Sequence, residues 1–167
     1  GYYSYAMLEK NKNLKSHVYD LPEVCKIGEK LKKDEPNFDR VIYHDFDIAE
    51  NDSFGDNYDI FFSSHFLYQF AANGYLTEFL KKINKSMKQG AIFVSNHICD
   101  KAPSKATEIT LSIVELKTKM LGYPTHQISE EKLLKSLTEA GFDNFTIKNP
   151  DGSYAYPTLL VAARKVR

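Results

Sequence analysis

Apolar positions recur along the chain in two rhythms, a three-to-four spacing and short runs or alternations, and their succession predicts the order of elements. Gly1-Tyr2-Tyr3-Ser4-Tyr5-Ala6-Met7-Leu8-Glu9-Lys10 reads as a helix start with no strand before it. Leu14 to Asp20 then alternates as a strand does and stops at Asp20. Leu21-Pro22-Glu23-Val24 opens a helix, with Pro in the first turn where its missing N–H is harmless, and Val24, Ile27 and Leu31 share one face. A second strand is expected over Arg40 to Phe46, followed by a polar loop from Glu50 to Asn57. A third, Tyr58 to Ser64, is apolar through its middle, as a strand covered on both faces should be.

The strongest helical pattern comes next. Leu76, Phe79, Leu80, Ile83 and Met87 form one stripe, and Gly90 is expected to stop the helix. Ala91 to Ser95 is a fourth strand, again without alternation. From Ser104 to Leu121, residues Ile109, Ile113, Leu116 and Met120 fall at helical spacing, and Ile113, Leu116 and Met120 are read as core; Gly122-Tyr123-Pro124 breaks the helix. Ser129 is the N-cap of a last helix that carries Glu130 and Glu131 in its first turn and ends at Gly141. Phe145–Lys148 and Thr158–Ala163 form a closing strand pair joined through Asn149-Pro150-Asp151-Gly152-Ser153. Strands alternating with helices imply right-handed crossovers and a mostly parallel sheet with helices on both faces, to which the last pair adds an antiparallel edge. Ligands of such sheets bind at the carboxyl ends of the strands. That singles out Asp20, Asp45, Ser63 to Tyr68, and Ser95 to His97.

Composition narrows the partners. The 167 residues hold 22 Lys+Arg against 22 Asp+Glu, so no long-range field favours nucleic acid or an anionic membrane, and no basic stripe supplies a local one. No apolar run reaches the roughly 18 residues of a membrane span, and Gly1 to Lys10 lacks the features of a secretory signal. Cys25 and Cys99 stand far apart, outside any metal-binding spacing. They read as buried free thiols, which favours a reducing cytoplasm. No metal site is expected.

Asp20 lies about 20 residues after Gly1, the distance at which a nucleotide-binding sheet sets a carboxylate on ribose hydroxyls. It can equally cap the helix that follows, and the two roles are compatible. Asp45 can accept from an exocyclic amine while Phe46 covers a base, or be an ordinary loop carboxylate. Asn96 and His97 read as a satisfied polar pair at a strand end, and His126 as a solvated loop residue. Ser63-Ser64-His65 carries no nucleophile elbow.

Five segments, Asp20-Leu21-Pro22-Glu23-Val24, His44-Asp45-Phe46, Tyr58 through Phe70, Gly90-Ala91-Ile92-Phe93-Val94 and Leu133 through Phe142, resemble the S-adenosylmethionine-dependent O-methyltransferases of the small-molecule, dimeric type found in plants and bacterial natural-product pathways. The resemblance covers nearly the whole chain in order. It implies an α/β fold with a Rossmann-like class I methyltransferase sheet, mostly parallel with an antiparallel C-terminal strand. It implies that Gly1 ends the glycine-rich cofactor turn, that Asp20 and Leu21 meet the ribose, that Asp45 and Phe46 meet the adenine, and that Ser63 and Ser64 lie near the methionyl group. A small-molecule methyl acceptor, a homodimer of the full-length protein and a cytoplasmic location follow from the same resemblance, with no nucleic-acid or membrane partner.

Two departures stand out. The family's general base is a histidine just after the third strand, and Tyr68 occupies its place. A phenol of ordinary pKa near 10 is a poor base at neutral pH. Tyr68 therefore positions substrate, or His65 takes the proton, or the acceptor needs no base. The family's first strand and helical pairing region would both lie upstream of Gly1, which reads the chain as a single catalytic domain truncated at its N-terminus. Because that strand is central in the family's sheet, unpaired backbone edges are expected. A non-catalytic binding domain of the same fold is the alternative function, and a nicotinamide dehydrogenase a third.

Overall fold

The strands pair as two sheets. The computed structural model describes residues 1–48, 51, 53–151 and 156–167, in two units, Gly1–Phe54 and Gly55–Arg167. Part of the expected loop from Glu50 and part of the turn through Gly152-Ser153 lie outside the described residues.

In the first unit, α1 (Tyr2–Lys10), β1 (Ser16–Asp20), α2 (Pro22–Lys32) and β2 (Val41–Asp45) follow a helix–strand–helix–strand order, with a 3-10 turn at Phe38–Arg40. β1 and β2 are parallel, from Ser16 opposite Val41 to Asp20 opposite Asp45. Ser4 and Leu8, one turn apart, form the buried side of α1. Its C-terminal end is held by Arg40. One guanidinium nitrogen donates to the carbonyls of Asn11, Lys12 and Leu14, and the other donates to Leu8 at 2.9 Å. A cation there satisfies carbonyls the helix leaves orphaned. α2 has Pro22 in its first turn and Lys30 and Lys32 in its last. Its inner side is made by Cys25, 2% exposed, and by Gly28, where an added Cβ would lie 3.0 Å from the Tyr43 ring. Val24, Ile27 and Leu31 consequently face outward in this unit.

The second unit runs β3 (Tyr58–Ser64), α3 (Tyr68–Ala72), α4 (Leu76–Ser86), β4 (Met87–Ile98), α5 (Lys105–Met120), α6 (Glu130–Glu139), β5 (Phe142–Lys148) and β6 (Thr158–Lys165). The sheet order is β3-β4-β6-β5. β3 and β4 are parallel, and β6 is antiparallel to both of its neighbours. Three strands thus share one direction and the C-terminal strand is reversed. The reversed strand is not at the edge as expected; it lies inside, and β5 takes the edge. Burial explains the exchange: Leu159, Val161 and Ala163 of β6 are buried, whereas Asp143, Thr146 and Lys148 of β5 are exposed.

The α4 stripe is buried as expected, through Leu76, Phe79, Leu80 and Ile83. Its stop is not Gly90, however. The helix ends at Ser86, where Lys165 Nζ donates to the carbonyls of Asn84 and Met87 at 2.7 and 2.8 Å. β4 starts at once, and Gly90, at φ +77°, sits in a register shift between Tyr58 and Ile60 of the partner strand. Neither β3 nor β4 is covered on both faces. Burial alternates along β4, and Ile60 of the end strand β3 is 44% exposed.

α5 begins with a capping box between Ser104 and Thr107. It buries Thr107, Leu111 and Thr118, so the reading of Ile113, Leu116 and Met120 as core is corrected: they face outward, Met120 at 81% exposure. The threonines can turn inward because Thr107 Oγ1 donates to the Ser104 carbonyl and Thr118 Oγ1 to that of Val114. The core of the unit is Leu80, Ile83, Phe93, Leu133, Leu137, Leu159 and Val161, all fully buried and each worth about 1.5–3 kcal/mol. Both cysteines are buried free thiols.

Candidate functional site

The nine residues to which the resemblance gives a role divide between the units: Gly1, Asp20, Leu21, Asp45 and Phe46 in the first, Ser63, Ser64, His65 and Tyr68 in the second. In the first unit, parallel pairing in equal register carries Asp20 and Asp45 to the same carboxyl end of the sheet, opposite one another. Both are exposed. Asp20 Oδ1 accepts from the adjacent Leu21 N–H at 2.9 Å. Leu21 is the α2 N-cap and no side chain caps that helix, so capping is not the work of Asp20. Leu21 itself is 45% exposed. Phe46 donates its N–H to the Asp20 carbonyl at 2.8 Å. Its ring is 8% exposed, stacked on Phe54 at 4.6 Å and edge-on to Tyr19 at 5.3 Å. One face of Phe46 is thus already covered. Gly1 is exposed, and a Cβ there would stand 3.1 Å from the Tyr43 hydroxyl. Adjacent carboxylates at strand ends present acceptors suited to vicinal hydroxyls and to an amine, and so fit the ribose and adenine of a nucleoside.

In the second unit the carboxyl end of β3 leads through Ser63, buried, and Ser64, half-buried, into a left-handed turn at His65, φ +50°. The His65 N–H donates to the Asn96 carbonyl at 2.9 Å, which ties the turn to β4. Such backbone is uncommon for a residue with a side chain. It launches α3, so that Tyr68 opens that helix with its ring stacked on His126 at 3.8 Å and edge-on to Tyr123 at 5.5 Å. His65 lies 6.5 Å from the His126 ring and 5.7 Å from Tyr156.

His126 is therefore no solvated loop residue. It is half-buried, its N–H donates to Glu115 Oε1 at 2.8 Å and its Nδ1 lies 3.2 Å from Thr118 Oγ1. The loop reaches this position because Gly122, at φ +88°, turns the chain after α5 and Tyr123 N–H bonds back to the Thr118 carbonyl. A histidine two residues after a Gly-Tyr-Pro break is the only sequence signal pointing there.

Nor is His97 half of a satisfied pair. It is 1% exposed, and neither ring nitrogen has a hydrogen-bond partner among the described residues. Burial, with the neighbouring His65 adding to it, pushes its imidazole down to about 4. Burial also lowers His65, and lowers His126 with a further contribution from His65 that Glu115 opposes. All three imidazoles are accordingly neutral at pH 7.

The order and directions of these strands, with helices between them, make this a mixed, mostly parallel, Rossmann-like α/β fold. Solved structures agree. The chain superposes on an O-methyltransferase family 2 protein from Planctomyces limnophilus, solved with apigenin, at a TM-score of 0.78 and 18% identity over 98% of this chain and 47% of that one. For the mitomycin 7-O-methyltransferase MmcR the values are 0.72, 19%, 96% and 44%. For the N-methyltransferase NodS from Bradyrhizobium japonicum, solved with S-adenosyl-L-homocysteine, they are 0.63, 15%, 92% and 67%. The chain spans about half the length of most solved structures it matches. No protein-family profile and no curated protein matches it. Among the described residues no helix is long and apolar enough to cross a membrane.

Proposed function

We propose that this chain is the catalytic part of an S-adenosylmethionine-dependent methyltransferase that methylates a hydroxyl of a small molecule. The observation that carries the reading is the sheet with β6 reversed between β4 and β5, a fold shared with O-methyltransferases at TM-scores up to 0.78. In this reading Asp20 binds the ribose hydroxyls with Leu21 alongside, Asp45 takes the adenine amine, and Phe46 lines the base. Ser63 and Ser64 border the methionyl group, Gly1 borders the same group from the cofactor turn, and Tyr68 and His65 meet the acceptor. The donor's sulfonium is already activated, so the protein's task is to align acceptor, methyl and sulfur. In this reading the protein is a cytoplasmic homodimer, and the end strands β1 and β3 can each take a further strand.

Tyr68 in the place of a base favours a second reading, a binding domain that has kept the fold without the reaction. Calorimetric titration with S-adenosylhomocysteine, with NADH as control, tests the first. The expected result is saturable binding of S-adenosylhomocysteine alone, in this chain or in a version extended upstream. Asp20→Ala is expected to weaken it by about 1.5–3 kcal/mol, the worth of a hydrogen bond to a charged group. Binding without turnover selects the second reading, and binding of neither ligand removes the first.

A further inference from the structure

The hydroxyl of Thr118 decides the state of His126. A threonine hydroxyl carries one hydrogen, and Thr118 directs it to the Val114 carbonyl at 2.8 Å. With its one hydrogen on that shorter bond, it accepts from His126 Nδ1 at 3.2 Å. The hydrogen-bond network therefore assigns the proton of neutral His126 to Nδ1. Nε2 is left with a free lone pair and no hydrogen-bond partner among the described residues. The ring is fixed in place by the Tyr68 stack at 3.8 Å, and the backbone beneath it by Glu115. This is the arrangement of a general base held in one tautomer by a third group.

The other candidates on this end of the sheet lack it. Among the described residues His65 has no side-chain hydrogen bond to orient its ring, and Tyr68 is a phenol. His97 is fully buried.

We propose that His126, from the loop after α5, is the general base of the methyl transfer, replacing the histidine absent at position 68. The inference rests on the methyltransferase reading. In the step, Nε2 takes the proton of the acceptor hydroxyl. The acceptor oxygen forms its bond to the methyl carbon as the methyl–sulfur bond breaks and that electron pair stays on sulfur. The products are the methyl ether, S-adenosylhomocysteine and an imidazolium that returns its proton to solvent. Tyr68 holds the imidazole plane and Thr118 is a positioning residue. The groups facing His126 are His65 from the turn after β3, Tyr68 from α3, and Glu115, Lys117 and Thr118 from α5.

The test uses the full natural chain, S-adenosylmethionine, and two phenols as probes, weakly acidic 4-methoxyphenol and strongly acidic 4-nitrophenol. His126→Asn keeps a donor toward Thr118 and removes the base. It is expected to lower kcat for 4-methoxyphenol about 100-fold, to lower it less than about tenfold for 4-nitrophenol, and to leave S-adenosylhomocysteine affinity unchanged. The acid limb of the wild-type kcat profile is lost, and imidazole restores the rate of His126→Ala. Nitrogen-15 NMR of the wild-type imidazole provides a readout independent of turnover, with the Nδ1–H tautomer expected at pH 7.5. An Nε2–H tautomer, equal losses for the two phenols, a larger loss in His65→Asn, or no methylation of either phenol by a protein that binds S-adenosylhomocysteine overturns the assignment. Failure to bind S-adenosylhomocysteine overturns the methyltransferase reading instead.

Discussion

His97 makes the stability of the second unit depend on pH in a calculable way. The side chain is 1% exposed, with both ring nitrogens unpaired among the described residues, and burial lowers its pKa from 6.5 to about 4. A histidine depressed in the folded state binds its proton more readily when unfolded. Between pH 6.5 and 4 the unfolded chain therefore holds more protons, and stability falls as pH falls through that window. The full difference of about 2.5 pK units corresponds to about 3 kcal/mol at 1.36 kcal/mol per unit. Of this, about 2 kcal/mol is lost between pH 7 and pH 4.5.

The perturbation is His97→Leu, which fills the same space and has nothing to protonate. Replacing an unsatisfied buried polar group by an apolar one of similar shape is close to neutral or stabilising, so the variant is expected to be at least as stable as wild type at pH 7. The chain has no tryptophan, and urea unfolding is therefore followed by far-ultraviolet circular dichroism at pH 7 and pH 4.5. His65 and His126 contribute to the acid loss in both proteins. The expected result is a loss about 2 kcal/mol larger in wild type than in His97→Leu. Equal acid losses in the two proteins would refute the reasoning.

Ser104→Ala removes the half of the α5 capping box in which Ser104 Oγ accepts from the Thr107 N–H and is expected to cost about 1 kcal/mol in the same unfolding assay. Gly141→Ala forces a side chain onto φ +93° with its Cβ 2.9 Å from the Arg167 carbonyl oxygen; a lowered Tm is expected, and an unchanged Tm would show that the turn can relax. Arg40→Ala deprives the Leu8 carbonyl of α1, and those of Asn11, Lys12 and Leu14 just beyond it, of one shared donor. A loss of about 2 kcal/mol and faster hydrogen exchange at α1 amides are expected, with unaltered α1 exchange counting against the clamp.

The sequence and the structure agree where hydrophobic spacing alone decides the outcome. The α4 stripe and the Tyr58–Ser64 strand are read directly from it, and the Ser129 cap from its hydroxyl side chain ahead of two glutamates. They part where a side chain from a distant element decides. Gly90 looks like a helix stop only until Lys165, from the last strand, is seen to end the helix four residues earlier. Ile113, Leu116 and Met120 look like core because periodicity shows that a helix has an apolar side without showing which way it turns. In α5 two threonines are the inward residues, their hydroxyls satisfied within the helix.

The candidate site follows the same division. Asp20 and Asp45 were legible as strand ends, and the parallel register that sets them opposite one another follows from alternation of strands and helices. His126 was not legible, because its position depends on a left-handed Gly122 and on a ring stack across two elements. The absence of a histidine at Tyr68 and the presence of one stacked upon it are then one observation rather than two. An aromatic ring at position 68 can hold an imidazole where a histidine at that position would have been. The tautomer that makes this imidazole basic at Nε2 depends on a single threonine hydrogen committed to the helix backbone.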